Sequence, residues 1–396
     1  MIHGQDIICF CNDWDADPLS KKHIMKRLAT QNRILWINSI GNRSPTASVS
    51  DARRIVKKLG AFARGCKLVT KNIYVFSPLA LPFHGSVLAR WFNRAWMKLQ
   101  IMWVCRRLGF RDPITYTFVP WSADIAGNLG EKMVIYHITD EFIEFSGTDK
   151  AAILEMEQRL IDKSDAVIVS AERLGQKAKS RGTESFLITH GVEVEHFRKA
   201  CDPLTPIPAD IASLPGPIIG FVGLIEDWVD LRLIRFLAVS KPLWSFVLIG
   251  KLVTSDSAVR DLPNVHLLGR REYQDLPGYC KAFDVALLPF VINELTLASN
   301  PLKLREYLAA GLPVVSSAIP EAERLEGLLS IARSDSQFLR QIEDLLARGA
   351  SPAVRLRISA SMDNETWDRK VADISDIIER RSRSSIEHPR AQTALA

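Results

Sequence analysis

Short runs of β-branched and aromatic residues alternate with helical stretches along almost the whole chain. The apolar runs predict strands at Asp6–Cys11, Arg33–Asn38, Asn72–Phe76, Ile114–Val119, Met133–Ile138, Ala166–Val169 and Ser185–Thr189. A second series is predicted at Pro217–Val222, Ser245–Ile249, Asn264–Leu268, Asp284–Leu288 and Leu312–Ser316. Many of these runs are continuously apolar, the pattern of parallel strands covered by helices on both faces. Helical periodicity fills the intervals, at Ala151–Lys163, Ala171–Ser180, Tyr273–Ala282 and Leu302–Ala310. Such alternation implies βαβ units and doubly wound sheets, whose ligands sit beyond the carboxyl ends of the strands.

Pro203, Pro206, Pro208, Pro215 and Pro217 crowd one segment. Proline removes backbone donors and fixes φ, so residues 201–216 read as a linker between two α/β halves, 1–200 and 217–362. The chain after Gln337 reads as helical and charged, and 384–396 as a frayed tail.

A length of 396 residues suits two domains, and 47% apolar with 24% charged residues is a globular composition. No stretch reaches the ~20 uninterrupted apolar residues of a membrane-spanning helix. Met1–Asp6 lacks the basic-then-apolar layout of a signal peptide. Cys9, Cys11, Cys66, Cys105, Cys201 and Cys280 are scattered, without zinc-type spacing, so no metal site is expected and the thiols point to a reducing, cytoplasmic setting. The net charge of +6 is uneven: residues 1–200 hold 29 Lys/Arg against 20 Asp/Glu, and residues 1–111 hold 19 against 5. Such a field attracts nucleic acid, an acidic membrane or phosphate-bearing substrates, although a solvated basic face would look the same.

The densest local signal is Asn293–Ser317. Asn300 is positioned to cap a helix with Pro301 in its first turn, and Lys303 adds positive charge at that N-terminus, a ready anion site. Glu306, three residues on, shares its face and could accept from sugar hydroxyls. A capped helix with a Lys–Glu surface pair is the plain alternative.

Here the sequence resembles a known family. NPLKLREYLAAGLPVVSS (300–317) is similar to the nucleotide-sugar site of the glycosyltransferase family 4 group, retaining enzymes of the GT-B fold. In the family's order, Ile188–Phe197 resembles its interdomain turn and PIIGFVGLIEDWVDLRLI its domain-opening glycine turn. NVHLLGRREYQDLPGYCKAFDVALLPF resembles its base-side strand and following helix, and Trp367 its returning-helix tryptophan. The resemblance covers roughly 130–385. It implies two Rossmann-like, doubly wound α/β domains facing each other across a cleft, with a helix over 363–383 returning to the first.

By the same resemblance Glu306 holds the ribose, and Asn300, Pro301, Leu302 and Lys303 meet the pyrophosphate and donor sugar. Gly223 lets backbone approach phosphate, and Gly269 and Arg270 border the base. Two departures stand out. The family's first glutamate is replaced by Ala298, with Glu294 nearby as a substitute. The Arg and Lys that follow the opening glycine are absent from Leu224–Asp230, so Lys303, Arg270 or a first-domain cation must carry that charge. The GFVG…DWVDL and NELT…NPLK pattern is similar to that of a bacterial subgroup of extracellular polysaccharide assembly.

On the acceptor side, Asp13, Trp14 and Lys21 follow the first strand. His137 with Asp140 is a candidate pair for the donor-sugar hydroxyl and the acceptor, alongside a structural role for the histidine. Ser86–Leu108 places Leu88, Trp91, Phe92, Ala95, Trp96, Leu99, Met102 and Trp103 on one stripe, with Arg90, Arg94 and Lys98 at four-residue steps. That pattern suits either a membrane interface or a core helix with a solvated face. Arg53, Arg54, Lys57, Lys58, Arg64 and Lys67 extend the basic field. The expected protein is a cytoplasmic hexosyltransferase, peripheral on the inner membrane face. It would move sugar with retention from a UDP- or GDP-sugar to a lipid-linked polysaccharide precursor, with no cofactor and no nucleic acid. A nucleotide-sugar epimerase and a catalytically silent transferase-like partner are the alternatives.

Overall fold

The computed structural model describes residues 1–15, 20–39, 60, 62–80, 87–144 and 149–387. The basic residues at 53, 54, 57 and 58, and the tail beyond 387, lie outside them. The chain divides into two compact units, Met1–Thr189 with Lys370–Ala396, and His190–Arg369.

In the first unit, β1 (Asp6–Phe10), β2 (Arg33–Ile37), β3 (Lys67–Thr70), β4 (Ile73–Phe76), β5 (Ile114–Thr117), β6 (Met133–Ile138), β7 (Ala166–Val169) and β8 (Ser185–Leu187) form one sheet. Its order is β3-β4-β2-β1-β5-β6-β7-β8. All pairings are parallel except β3 with β4, whose hairpin turns at Asn72 with φ 63°. In the second unit, β9 (Ile218–Val222), β10 (Ser245–Ile249), β11 (Val265–Gly269), β12 (Val285–Leu288), β13 (Val314–Ser317) and β14 (Ser330–Ala332) form a parallel sheet ordered β11-β10-β9-β12-β13-β14. The edge strands β3 and β14 are additions to the sequence reading. β3 is exposed throughout and β14 is three residues long, so neither carries the buried apolar run that marks most of the others.

Alternation along the second sheet feeds two cores. Val222, Val247, Ile249, Ala286, Leu288 and Val314 face the helices Leu276–Ala282 and Leu302–Ala309. Phe221, Phe246, Leu248, Val285, Leu287 and Val315 face the helices Leu231–Ser240 and Asp335–Arg348. Those latter helices begin at side-chain caps, Asp230 accepting from the Arg232 and Leu233 N–H groups and Ser334 from Gln337.

The proline-rich segment is not a free linker. Ile211 is fully buried in the second unit's core, and Lys281 Nζ donates to the carbonyls of Asp202, Pro203 and Thr205. Arg271 and Tyr279 both hold Asp210. Proline cannot supply these donors, so neighbouring side chains do, and residues 201–216 belong to the second unit. The chain crosses between units at 189/190 and again inside the helix Trp367–Glu387. Beyond Arg369 that helix groups with the first unit, where Lys370 donates to Thr189 Oγ1 and Arg381 pairs with Glu184.

Candidate functional site

In both sheets the strand order reverses beside the first strand, between β1 and β5 and between β9 and β12, the topological switch where such folds bind ligands. In the second unit glycine follows the neighbouring strands β9 and β10, as Gly223 and Gly250, and ends β11, as Gly269. Gly223 N–H donates to the Ile249 carbonyl at 2.9 Å, and Gly250 N–H to the Gly269 carbonyl at 3.0 Å. Gly250 has φ +154°, and a Cβ there would lie 1.7 Å from the Gly223 oxygen. Side chains are therefore excluded along this row, leaving a backbone surface. A Cβ on Gly223 itself would meet the Phe221 ring at 2.9 Å, so packing also requires that glycine.

The segment that lacks the expected Arg and Lys is fastened across these strand ends. Ile225 N–H donates to the Lys251 carbonyl at 3.0 Å, Asp230 N–H to Pro289 at 2.7 Å and Val291 N–H to Trp228 at 2.9 Å. Thr254 Oγ1 donates to Asp227 at 2.7 Å. Lys251, exposed and immediately after Gly250, is a cation at this edge that sequence reading did not single out. Its signal was its place after the last glycine-ended strand but one. Arg270, just past Gly269, is likewise exposed.

The helix Leu302–Ala309 stands beside β9 and β12. Asn300 does not cap it: Pro301 occupies the cap position, and no side chain caps the helix. Instead the buried Asn300 Oδ1 accepts from Arg305 Nη1 at 2.9 Å, and its carbonyl lies 2.8 Å from His190 Nδ1. Arg305, 3% exposed, also donates to Glu321 at 2.7 Å and to Glu365 at 3.1 Å. Arg305 thus fixes the Asn300–Lys303 turn, which sequence reading missed because a charged residue on a helix normally reads as solvated. Lys303 and the nearly buried Glu306 form an ion pair with each other. Lys303 is thereby partly neutralised, the pairing that the plain alternative to an anion site gives. Tyr307 Oη accepts from Val222 N–H at 2.7 Å, joining the helix to the end of β9, and burial pushes its phenol well above the usual range. Leu302 begins this helix half-buried.

Ala298 is 1% exposed, so its side chain faces the interior. Glu294 is exposed in the preceding short helix Glu294–Leu297, which Asn293 and Thr296 close with a reciprocal capping box.

In the first unit Trp14 N–H donates to Asn38 at 2.8 Å, its ring meets Trp36 edge-on and Lys22 lies over it at 5.1 Å, while Asp13 is exposed. Lys21 is buried, 3.7 Å from Asp140, with its ammonium over the rings of Phe118 and Phe142. The structure therefore brings Lys21 and Asp140 together. His137 is not at an open strand end: it is buried within β6, with Nδ1 2.8 Å from Tyr116 Oη and its ring against Phe118. Burial among aromatic rings is also what the alternative structural role of His137 requires. Glu141 turns away to Lys177, which it shares with Glu157. Near Lys21, burial pushes the Cys9 thiol up. Burial acts likewise on Cys11, but the hydrogen bond with Cys9 and the Lys21 charge outweigh it and lower that thiol. All six cysteines are free.

Among the described residues no group of three or more His, Cys, Asp or Glu could hold a metal ion. No helix among them is long and apolar enough to cross a membrane.

The family described as Glycosyl transferases group 1 matches residues 216–348. TuaH of Bacillus subtilis, assigned as a glycosyltransferase of teichuronic acid biosynthesis, is 28% identical over 183 residues, 45% of this chain and 46% of that protein. The chain thus matches about half the length of this relative. HepE of Anabaena, solved with UDP and glucose, is 14% identical with a TM-score of 0.65, covering 95% of this chain and all (100%) of that one. An Escherichia coli trehalose-6-phosphate protein bound with UDP-2-fluoro glucose is 13% identical with a TM-score of 0.64, covering 96% and 99%. At these identities the likeness is one of fold, and the fold is GT-B.

Proposed function

We propose, from the match of residues 216–348 to the family described as Glycosyl transferases group 1, that the protein transfers a sugar from a nucleoside-diphosphate donor to a growing glycan. The observation that carries this reading is the row Gly223, Gly250 and Gly269 at the switch point, beside a helix presenting Lys303 and Glu306. Three adjacent strand ends without side chains leave room for a diphosphate to come close to the backbone there. Lys251, Arg270 and Lys303 supply charge there. Glu306 accepts from the ribose hydroxyls with the carboxylate oxygen left over from its pair with Lys303.

The donor is a UDP- or GDP-sugar, and the UDP and UDP-sugar carried by the solved structures of like fold favour UDP. Transfer proceeds with retention. The bond from the anomeric carbon to the diphosphate oxygen breaks, and the acceptor hydroxyl forms the new bond on the same face. Its proton goes to the departing diphosphate, so no protein base is required. Glu294 borders the donor sugar in place of the carboxylate missing at Ala298. Asp13, Trp14 and the Lys21–Asp140 pair serve the acceptor, a lipid-linked polysaccharide precursor in keeping with the role assigned to TuaH.

The test is release of nucleoside diphosphate from a panel of UDP- and GDP-sugars by the purified protein, with the anomeric configuration of product read by NMR. Transfer or slow hydrolysis with retention supports the reading. Interconversion of the donor sugar without release makes the protein an epimerase. Tight nucleotide binding with no turnover makes it a silent partner, the outcome that Ala298 would favour.

A further inference from the structure

The helix Val87–Leu108 carries apolar side chains on its exposed face as well as on its buried one. At 100° per residue, Asn93, Met97, Gln100, Ile101 and Val104 share one arc, and all five are buried. Two of these are polar, and Gln100 is satisfied there by a reciprocal pair with the backbone of Leu79, 2.9 Å in each direction. The opposite arc holds Trp91, Phe92, Trp96, Leu99 and Trp103, all exposed. Trp91 is 71%, Leu99 62% and Trp103 58% accessible. Two polar side chains thus share the buried arc with Met97, Ile101 and Val104, while the largest apolar ones face out, which burial in the first unit's own core does not explain.

Charge decides what covers this face. Residues 87–108 contain no Asp or Glu. Arg94 and Lys98 flank the aromatic arc on one side and Arg107, over the Trp103 ring at 5.4 Å, on the other; Arg106 lies at its C-terminal end. Leu68 and Val69 of the exposed strand β3 add apolar surface beside Lys67. A second copy laid on the same face would oppose like charges across a two-fold axis. An anionic lipid surface meets both features, with tryptophan and leucine among the acyl chains and arginine and lysine at the headgroups.

We propose that this helix lies in the plane of an anionic bilayer, aromatic arc inward, and seats the first unit on the membrane. The proposal rests on the transferase reading only for its purpose, which is to bring the enzyme to a lipid-linked acceptor. The docking face itself is independent of the donor site.

The test uses the full chain, vesicles of phosphatidylcholine with and without phosphatidylglycerol, and flotation at low and high salt. The variants are Trp91→Ser/Leu99→Ser/Trp103→Ser and, separately, Lys98→Glu/Arg106→Glu. These sites are exposed or half-buried, and retained UDP-induced thermal stabilisation checks that each variant is folded. The wild type is expected to float with phosphatidylglycerol vesicles and to release in high salt. Both variants should bind at least tenfold less. Absence of binding by the wild type, or undiminished binding by the serine variant, overturns the proposal. A dimer of the wild type that the serine variant dissolves, without vesicle binding, overturns it in favour of self-association. If vesicle binding holds while no nucleotide stabilises the wild type, the docking face stands and the transferase reading falls.

Discussion

Replacing Arg305 by leucine removes a cation from three acceptors at once, and the costs are unequal. Glu365 is 29% exposed and can be rehydrated. Glu321 is 2% exposed and loses a donor at 2.7 Å, keeping only Arg324 at 3.9 Å. Removing one partner of a buried ion pair costs about 3–5 kcal/mol, because the other charge stays desolvated. The surviving Arg324 contact places the cost near the lower limit, about 3 kcal/mol. In a unit the size of His190–Arg369, each kcal/mol lowers the melting temperature by about 2–4 °C, so the expected fall is about 6–12 °C. Calorimetry of the full chain at pH 7 should show it in the transition of the second unit. The double variant Arg305→Leu/Glu321→Leu should recover at least half, since two apolar side chains leave no stranded charge. A single variant melting within about 2 °C of wild type, or a double variant no better than the single, would refute the reasoning.

Four further outcomes are expected. Lys303→Ala should weaken nucleotide-sugar binding by isothermal calorimetry about ten- to a hundred-fold, the worth of a charge-assisted hydrogen bond at roughly 1.5–3 kcal/mol. Glu306→Ala should weaken binding of the free nucleoside diphosphate as well. Gly250→Ala forces a Cβ against the Gly223 carbonyl at φ +154°, with about 1–3 kcal/mol of backbone strain alone. It should depress both melting temperature and nucleotide binding, and an unchanged protein would show that the strand ends yield. Burial lowers the His196 imidazole below its ordinary value of 6.5, only partly offset by the Tyr273 carbonyl at 2.9 Å. A depressed folded value contributes stability present above about pH 6.5 and lost as pH falls through it. His196→Gln should therefore melt with a shallower acid slope than wild type between about pH 7 and 5, and parallel slopes would exclude the effect.

The twelve expected strands are all present, most of them because they are buried apolar runs, and burial on both faces writes itself into hydrophobicity; β8 and β11 are only partly buried. The segment around Pro203–Pro217 misled because proline reports what its own backbone cannot donate, whereas Lys281, Arg271 and Tyr279 supply the donors from far along the chain. Asn300 misled for a related reason. An asparagine before a helix reads as a cap, but its oxygen answers to Arg305 five residues later. The Lys303–Glu306 pair is legible in their three-residue spacing, whereas the burial of His137 depends on neighbours that spacing does not reveal. In the helix Val87–Leu108 periodicity located the apolar stripe, but only the packed structure shows which way it points.

The two crossings of the chain make the second unit an insertion within the first. His190–Arg369 is one uninterrupted length of sequence, whereas the first unit needs both ends of the chain. Its closing helix carries Val371, Ile374 and Ile378, all buried. As the ribosome delivers the chain, the later-made unit can finish folding first, and the earlier one waits with its core open until the last helix emerges. Assembly therefore runs against the direction of synthesis. A premature stop just after Arg369 would leave the later-made unit whole and cripple the one encoded before it.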